Sequence, residues 1–155
     1  MWNEKNLFTV PLTKKGVEEA IQAGKRISYI PVDIIFTSVL IRAKMTAMLS
    51  MTQHHHKKVP VIIHNENEQA TAWTRIYSEK TISQSIPVIT AWQLNERMYG
   101  DLTSRKLLKD MGRRKCTSGV AALIFLLQRI EPHLKSGRHV MVAAHGNSLR
   151  SIIMS

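Results

Sequence analysis

His139-Val140-Met141-Val142-Ala143-Ala144-His145-Gly146-Asn147-Ser148-Leu149-Arg150 changes character halfway along. His139 to Ala144 reads as a strand, and its unbroken apolar interior is that of a strand covered on both faces. The chain breaks at His145-Gly146, and Ser148 to Met154 reads as helical. A covered strand feeding a helix belongs to βαβ architecture, in which ligands collect at the carboxyl ends of the strands. His145 is delivered to such an end. Gly146 lets the backbone approach a ligand, and Asn147 or Ser148 opens a helix whose free N–H groups suit a phosphate.

The same alternation extends upstream. Thr13 caps a helix running through Ile27, with Val17, Ala20, Ile21 and Gly24 at helical spacing. Gly16 and Gly24 weaken that helix intrinsically, so packing must hold it. Val32 to Phe36 reads as a buried strand, Leu40 to Met51 as a helix, and Val59 to Ile63 as a strand. Pro60 assigns that strand to a start or an edge position. Residues 64–86 match neither period, Ile86 to Ile89 forms a further short strand, and Trp92 to Gly100 is irregular. Val120 to Leu134 reads as one helix despite Pro132, ended by Gly137. Helices alternating with short apolar strands give an α/β fold with a parallel sheet, in one layered domain.

Composition sets outer bounds. Of 155 residues, 44% are hydrophobic and 21% charged, a globular balance. No apolar run approaches the ~18 residues of a membrane-spanning helix, and no secretory signal is visible at the amino terminus. Cys116 is the single cysteine, which excludes an internal disulfide and favours a reducing compartment such as the cytoplasm. The formal net charge is +11, and the excess sits in residues 101–155, with ten Lys and Arg against three Asp and Glu. Such a balance points to anionic partners.

Two more segments carry chemistry. Phe36-Thr37-Ser38-Val39-Leu40-Ile41-Arg42-Ala43 is a second strand end entering a helix, with Ser38 as its cap. Arg42 lies in the first turns, where the helix dipole disfavours a cation unless an anion lies in front of it. Leu94-Asn95-Glu96-Arg97-Met98-Tyr99-Gly100 offers Glu96 as a general acid, Arg97 as an anion clamp and Tyr99 as a neutral donor. Singly, Arg42 reads as a solvated arginine and the Glu96 segment as a polar loop. Together with His145 they describe an anion pocket with a carboxylate able to move protons. His54-His55-His56-Lys57-Lys58 reads as a solvated turn rather than a metal site, because the lysines oppose a cation. Arg113-Arg114-Lys115 lacks neighbouring aromatics for a nucleic-acid platform and reads as a basic loop.

At these residues the chain resembles the 2,3-bisphosphoglycerate-dependent phosphoglycerate mutases of the histidine phosphatase superfamily. The matching stretches are Met1 to Thr9, Val10 to Gly16, Phe36 to Thr46, Leu94 to Gly100 and Ala143 to Arg150. The resemblance implies a three-layer, mostly parallel α/β sheet with flanking helices, present here as one partial domain over residues 1–155. It implies interconversion of 3-phosphoglycerate and 2-phosphoglycerate, primed by 2,3-bisphosphoglycerate and without metal. Glu96 would move the proton and His145 would stabilise the phosphoryl in flight, with Gly146 and Asn147 beside it. Asn3, Arg42, Arg97, Met98 and Tyr99 would hold phosphate and carboxylate, and Arg113 and Arg114 stand as candidates for the family's Arg-Arg pair.

The family's nucleophilic Arg-His-Gly would precede Trp2, and this sequence starts after it. Its first strand and its closing strands likewise have no counterpart here. The expectation is therefore a truncated mutase, weakly active or inactive. The alternatives are a broader histidine phosphatase, or a non-catalytic basic remnant that binds partners or nucleic acid. The expected partners are phosphoglycerates rather than nucleic acid or membrane; a homo-oligomer is left open. The expected location is cytoplasmic, or a plastid or other organelle if a targeting segment lies upstream.

Overall fold

Thr13 caps the first helix through a side-chain hydrogen bond from the Gly16 N–H at 3.1 Å, and α1 spans Lys14–Arg26. The computed structural model describes residues 10–64, 67–96 and 117–154. Next come β1 (Ile34–Thr37), α2 (Ile41–Met51), β2 (Val59–Ile63), α3 (Glu68–Thr74), α4 (Glu79–Ser83) and β3 (Ser85–Thr90). A single 3-10 turn, Trp92–Leu94, follows β3. After residue 116 come α5 (Thr117–Phe125), a π-helical turn (Leu126–Ile130), α6 (Glu131–Lys135), β4 (Val140–Ala143) and α7 (Gly146–Ile153).

The four strands form one sheet in the order β2-β3-β1-β4, with all neighbours parallel. Every residue of β1 is buried, as a strand covered on both faces requires. Alternate side chains enter opposite layers. Ile35 joins Val32, Ala47, Met51, Ile86, Val88 and Ala143 on one face. Ile34 and Phe36 join Ala91, Leu94, Phe125 and Ile130 on the other, where Phe36 meets Phe125 edge-on at 5.6 Å. β2 lies at the edge of the sheet, where Pro60 leaves no ladder donor missing from an interior strand.

Packing does hold the glycine-weakened α1. A Cβ on Gly24 would lie 2.3 Å from the Ser50 carbonyl oxygen, and the Ser50 hydroxyl donates to the Ala20 carbonyl at 3.1 Å. The backbones of α1 and α2 therefore meet at a point that admits no side chain.

Three expectations are corrected. Residues 120–134 are helical throughout, but not as one regular α-helix. Pro132 has no N–H and its ring crowds the carbonyl four residues back. The ladder accordingly widens, with the Glu131 N–H bonding the Leu126 carbonyl five residues back, before α6 begins. The histidine turn is only partly solvated: His54 is buried, with its Nε2 2.7 Å from the Ile30 carbonyl. That contact, and the stacking of His55 on Tyr29 at 5.0 Å, tie the turn after α2 to the end of α1. Finally, Ser38 is not the helix cap. The cap position is Leu40, and the Ser38 oxygen accepts the Leu40 N–H at 3.1 Å.

Among the described residues, no helix is long and apolar enough to cross a membrane.

Candidate active site

The register of β1 against β4 places Thr37 beside Ala143, so the loops after both strands leave the sheet side by side. The Thr37 hydroxyl donates to the Ala143 carbonyl at 2.8 Å and locks the two ends together. One residue beyond Thr37 stands Ser38, and two beyond Ala143 stands His145. Their side chains meet, Ser38 Oγ to His145 Nε2, at 3.0 Å. The loop after β3 reaches the same place. The Asn95 side-chain oxygen accepts the Val39 N–H at 3.1 Å, and its main-chain oxygen accepts the Ser148 hydroxyl at 2.8 Å. Asn95 thus fastens its own loop to both of the others, and the next residue is Glu96.

Glu96 sits between Arg42 and His145. Its Oε2 accepts from the Arg42 guanidinium at 2.5 Å and lies 3.7 Å from His145 Nδ1. Arg42 occupies the second position of α2, where the dipole opposes a cation; Glu96 offsets that cost. The pair is partly exposed, 32% for Arg42 and 39% for Glu96, so solvent screens it. The His145 side chain is only 11% exposed. Burial pulls its pKa below the ordinary imidazole value; Glu96 pulls the other way and Arg42 adds to the lowering. The lowering favours the uncharged ring at neutral pH.

Two helices begin at this cluster, α2 after Leu40 and α7 after His145. Neither has an acidic residue in its first turn, and neither cap residue offers a side-chain bond to the free N–H groups. Among the described residues, no side chain caps those N–H groups, which leaves them to an anion. A Cβ at Gly146 would meet nothing within 4 Å, so the backbone at the start of α7 is open to a ligand. α7 begins one to two residues earlier than the sequence indicates, with His145 itself as the cap.

The structure brings together Arg42, Glu96, His145, Gly146 and Asn147. Asn3, Arg97, Met98, Tyr99, Arg113 and Arg114 lie outside the described residues. Sequence reasoning missed Ser38 and Asn95 as supports of the site. Their partners lie 107 and 56 residues away, and the available signal was a pair of polar residues at strand ends. No group of three or more metal-ligating side chains occurs among the described residues.

Residues 2–68 match the histidine phosphatase superfamily (branch 1). The chain is 55% identical to 2,3-bisphosphoglycerate-dependent phosphoglycerate mutase 1 of Arabidopsis thaliana, over 99% of this chain and 54% of the relative. It thus spans about half the length of that plant relative. It is 45% identical to the 2,3-bisphosphoglycerate-dependent phosphoglycerate mutase of Protochlamydia amoebophila, over 99% of this chain and 79% of the relative. The fold is similar to that of Bacillus stearothermophilus YhfR, with a TM-score of 0.60 at 20% identity over 92% of this chain and 65% of that one. With the strand-end cluster and these relatives side by side, the chain belongs to the 2,3-bisphosphoglycerate-dependent phosphoglycerate mutases of the histidine phosphatase superfamily.

Proposed function

We propose that the cluster at the carboxyl ends of β1, β3 and β4 binds phosphoglycerate and supplies the proton-moving and phosphoryl-stabilising groups of the mutase reaction. The supporting observation is the convergence of Arg42, Glu96 and His145 at the starts of two helices whose N–H groups are free. An anion entering there meets the donors of Arg42 not engaged by Glu96, the amides opening α7 at Gly146 and Asn147, and the ring of His145. This donor set fits a phosphate. When bound, 2,3-bisphosphoglycerate would supply the phosphoryl group that primes the family reaction.

Within that pocket each side chain has a separate task. Glu96, poised between a guanidinium and an imidazole, takes or returns the proton of a glycerate hydroxyl. His145, buried and neutral, donates a hydrogen bond to the phosphoryl oxygens as they move. Arg42 fixes the substrate anion and holds Glu96 in place. Positioning and charge stabilisation are most of what phosphoryl transfer asks of a protein. Asn3, Arg97, Met98, Tyr99, Arg113 and Arg114 enter this proposal as further substrate contacts, carried by the resemblance. The reading extends to a reducing compartment, the cytoplasm or an organelle.

Titration of the 155-residue chain with 3-phosphoglycerate, 2-phosphoglycerate and 2,3-bisphosphoglycerate tests the proposal. Saturable binding that protects His145 signals is the expected result. Salt-sensitive binding to generic RNA or DNA, with no response to phosphoglycerates, would overturn it.

A further inference from the structure

We infer that Ser38 is a positioning residue that fixes the tautomer of His145, keeping the ring proton on Nδ1, the nitrogen nearest Glu96. Ser38 is fully buried, so no bulk water is available to it. Its oxygen already accepts the Leu40 N–H at 3.1 Å, which uses one lone pair. The hydroxyl proton then needs an acceptor, and among the described residues the one in reach is His145 Nε2 at 3.0 Å. A neutral imidazole has one N–H and one bare nitrogen. If Ser38 donates to Nε2, the proton belongs on Nδ1. The opposite tautomer would make the Ser38 oxygen accept twice and leave a buried O–H with nothing to bond, an arrangement folded proteins avoid.

The consequence lies on the other side of the ring. Nδ1 stands 3.7 Å from the Glu96 carboxylate. With the proton there, a neutral His145 presents a hydrogen-bond donor to an anion and needs no added proton to do so. With the proton on Nε2, the ring would present a lone pair to a phosphoryl oxygen and repel it. Ser38 touches no reacting atom in this scheme; it acts through His145. The effect on phosphoglycerate rests on the function proposed above, whereas the tautomer does not.

Long-range 1H–15N correlation spectra of the full chain at pH 7.5 decide the matter without any ligand. The expected pattern for His145, assigned by its loss in His145→Asn, is that of a neutral ring protonated at Nδ1. In Ser38→Ala the pattern moves toward the Nε2-protonated form, and Ser38→Thr, which keeps the hydroxyl, restores it. The dissociation constant for 3-phosphoglycerate rises about three- to tenfold in Ser38→Ala, the worth of one hydrogen bond. An Nε2-protonated His145 in the unaltered chain would overturn the inference, as would a tautomer unchanged in Ser38→Ala. If the variants fail to fold, the spectrum of the unaltered chain decides alone. An Nδ1-protonated ring in a chain that ignores 3-phosphoglycerate sinks the mutase reading and leaves the role of Ser38 standing.

Discussion

Each end of the β1–β4 strand pair has a histidine beside a carboxylate, Asp33 at the amino end and, reaching in from the loop after β3, Glu96 at the carboxyl end; the two ends behave differently. At the amino end, Asp33 Oδ2 accepts the His139 N–H at 2.8 Å and lies 3.1 Å from His139 Nδ1. Both side chains there are well exposed, 54% and 43%. The perturbed group at that end is the acid. Main-chain and side-chain hydrogen bonds from His139 pull Asp33 below the usual carboxylate range. At the carboxyl end the perturbed group is the histidine, shifted by burial against the pull of a nearby carboxylate. The residue types match, but depth and hydrogen bonding decide the outcome. A wet His–Asp pair pins two strand starts together, whereas burial favours the neutral form of a histidine beside a carboxylate shared with an arginine.

The largest expected effect separates the two ends outright. Arg42→Ala removes charge-assisted donors from the anion pocket, each worth roughly 1.5–3 kcal/mol, so binding of 3-phosphoglycerate should weaken about 10- to 100-fold. The same change removes one cause of the lowered His145 pKa, which should move upward in an NMR titration while the His139 signals stay in place. Calorimetry and the titration check the two halves separately. Movement of His139 would show that the ends are coupled through the strands.

Next in size is the lock between the strands. Thr37→Val preserves shape but deletes the buried donor to the Ala143 carbonyl at the site end, and should cost about 1 kcal/mol or somewhat more in urea unfolding. Asp33→Asn at the wet end should cost less, under about 1 kcal/mol, because exposed pairs contribute little. Equal costs would mean that depth is not what distinguishes the ends.

This contrast also explains what could be read from the sequence. β1 and β4 were legible because a strand covered on both faces is an unbroken apolar run, and Pro60 marked β2 as an edge. Arg42, Glu96 and His145 were legible as candidates because each lies in a recognisable segment that follows a strand. Ser38 and Asn95 were not, since their partners become neighbours only when the sheet assembles. His54 misled for the same reason: next to two histidines and two lysines it looks solvated, yet the end of α1 covers it. Pro132 was visible as a breaker, but its local solution was not: one widened turn, whose Ile130 and Leu126 pack with Phe36 and Phe125 on one face of the sheet.

Acidification should dissect the two ends in order. The folded pKa of His145 lies below its unfolded value of about 6.5. Between those values the unfolded chain binds more protons, so this contribution to stability is complete above about 6.5 and is lost as pH falls through the folded value. Asp33 is also depressed. Its contribution is present above the unfolded value of about 4 and is lost as pH falls through the lower folded one. Urea midpoints measured from pH 8 to pH 3 should therefore fall in two separate windows. Asp33→Asn should abolish the lower window and leave the upper one, and a single merged step would break the distinction between the ends.

The smallest stability effect sharpens the comparison by dividing fold from function within the site end itself. Gly146 and Gly24 are both helical glycines, but a Cβ meets open space at the first and the Ser50 main chain at the second. Gly146→Ala should therefore change stability by no more than about 0.5 kcal/mol. It places a methyl group where the opening amides of α7 would meet a phosphate, so 3-phosphoglycerate should bind measurably more weakly. Paired unfolding and calorimetric titrations test both parts. Unchanged stability with weakened binding would show that this glycine serves the ligand rather than the fold, while unchanged binding would remove the α7 amides from the pocket.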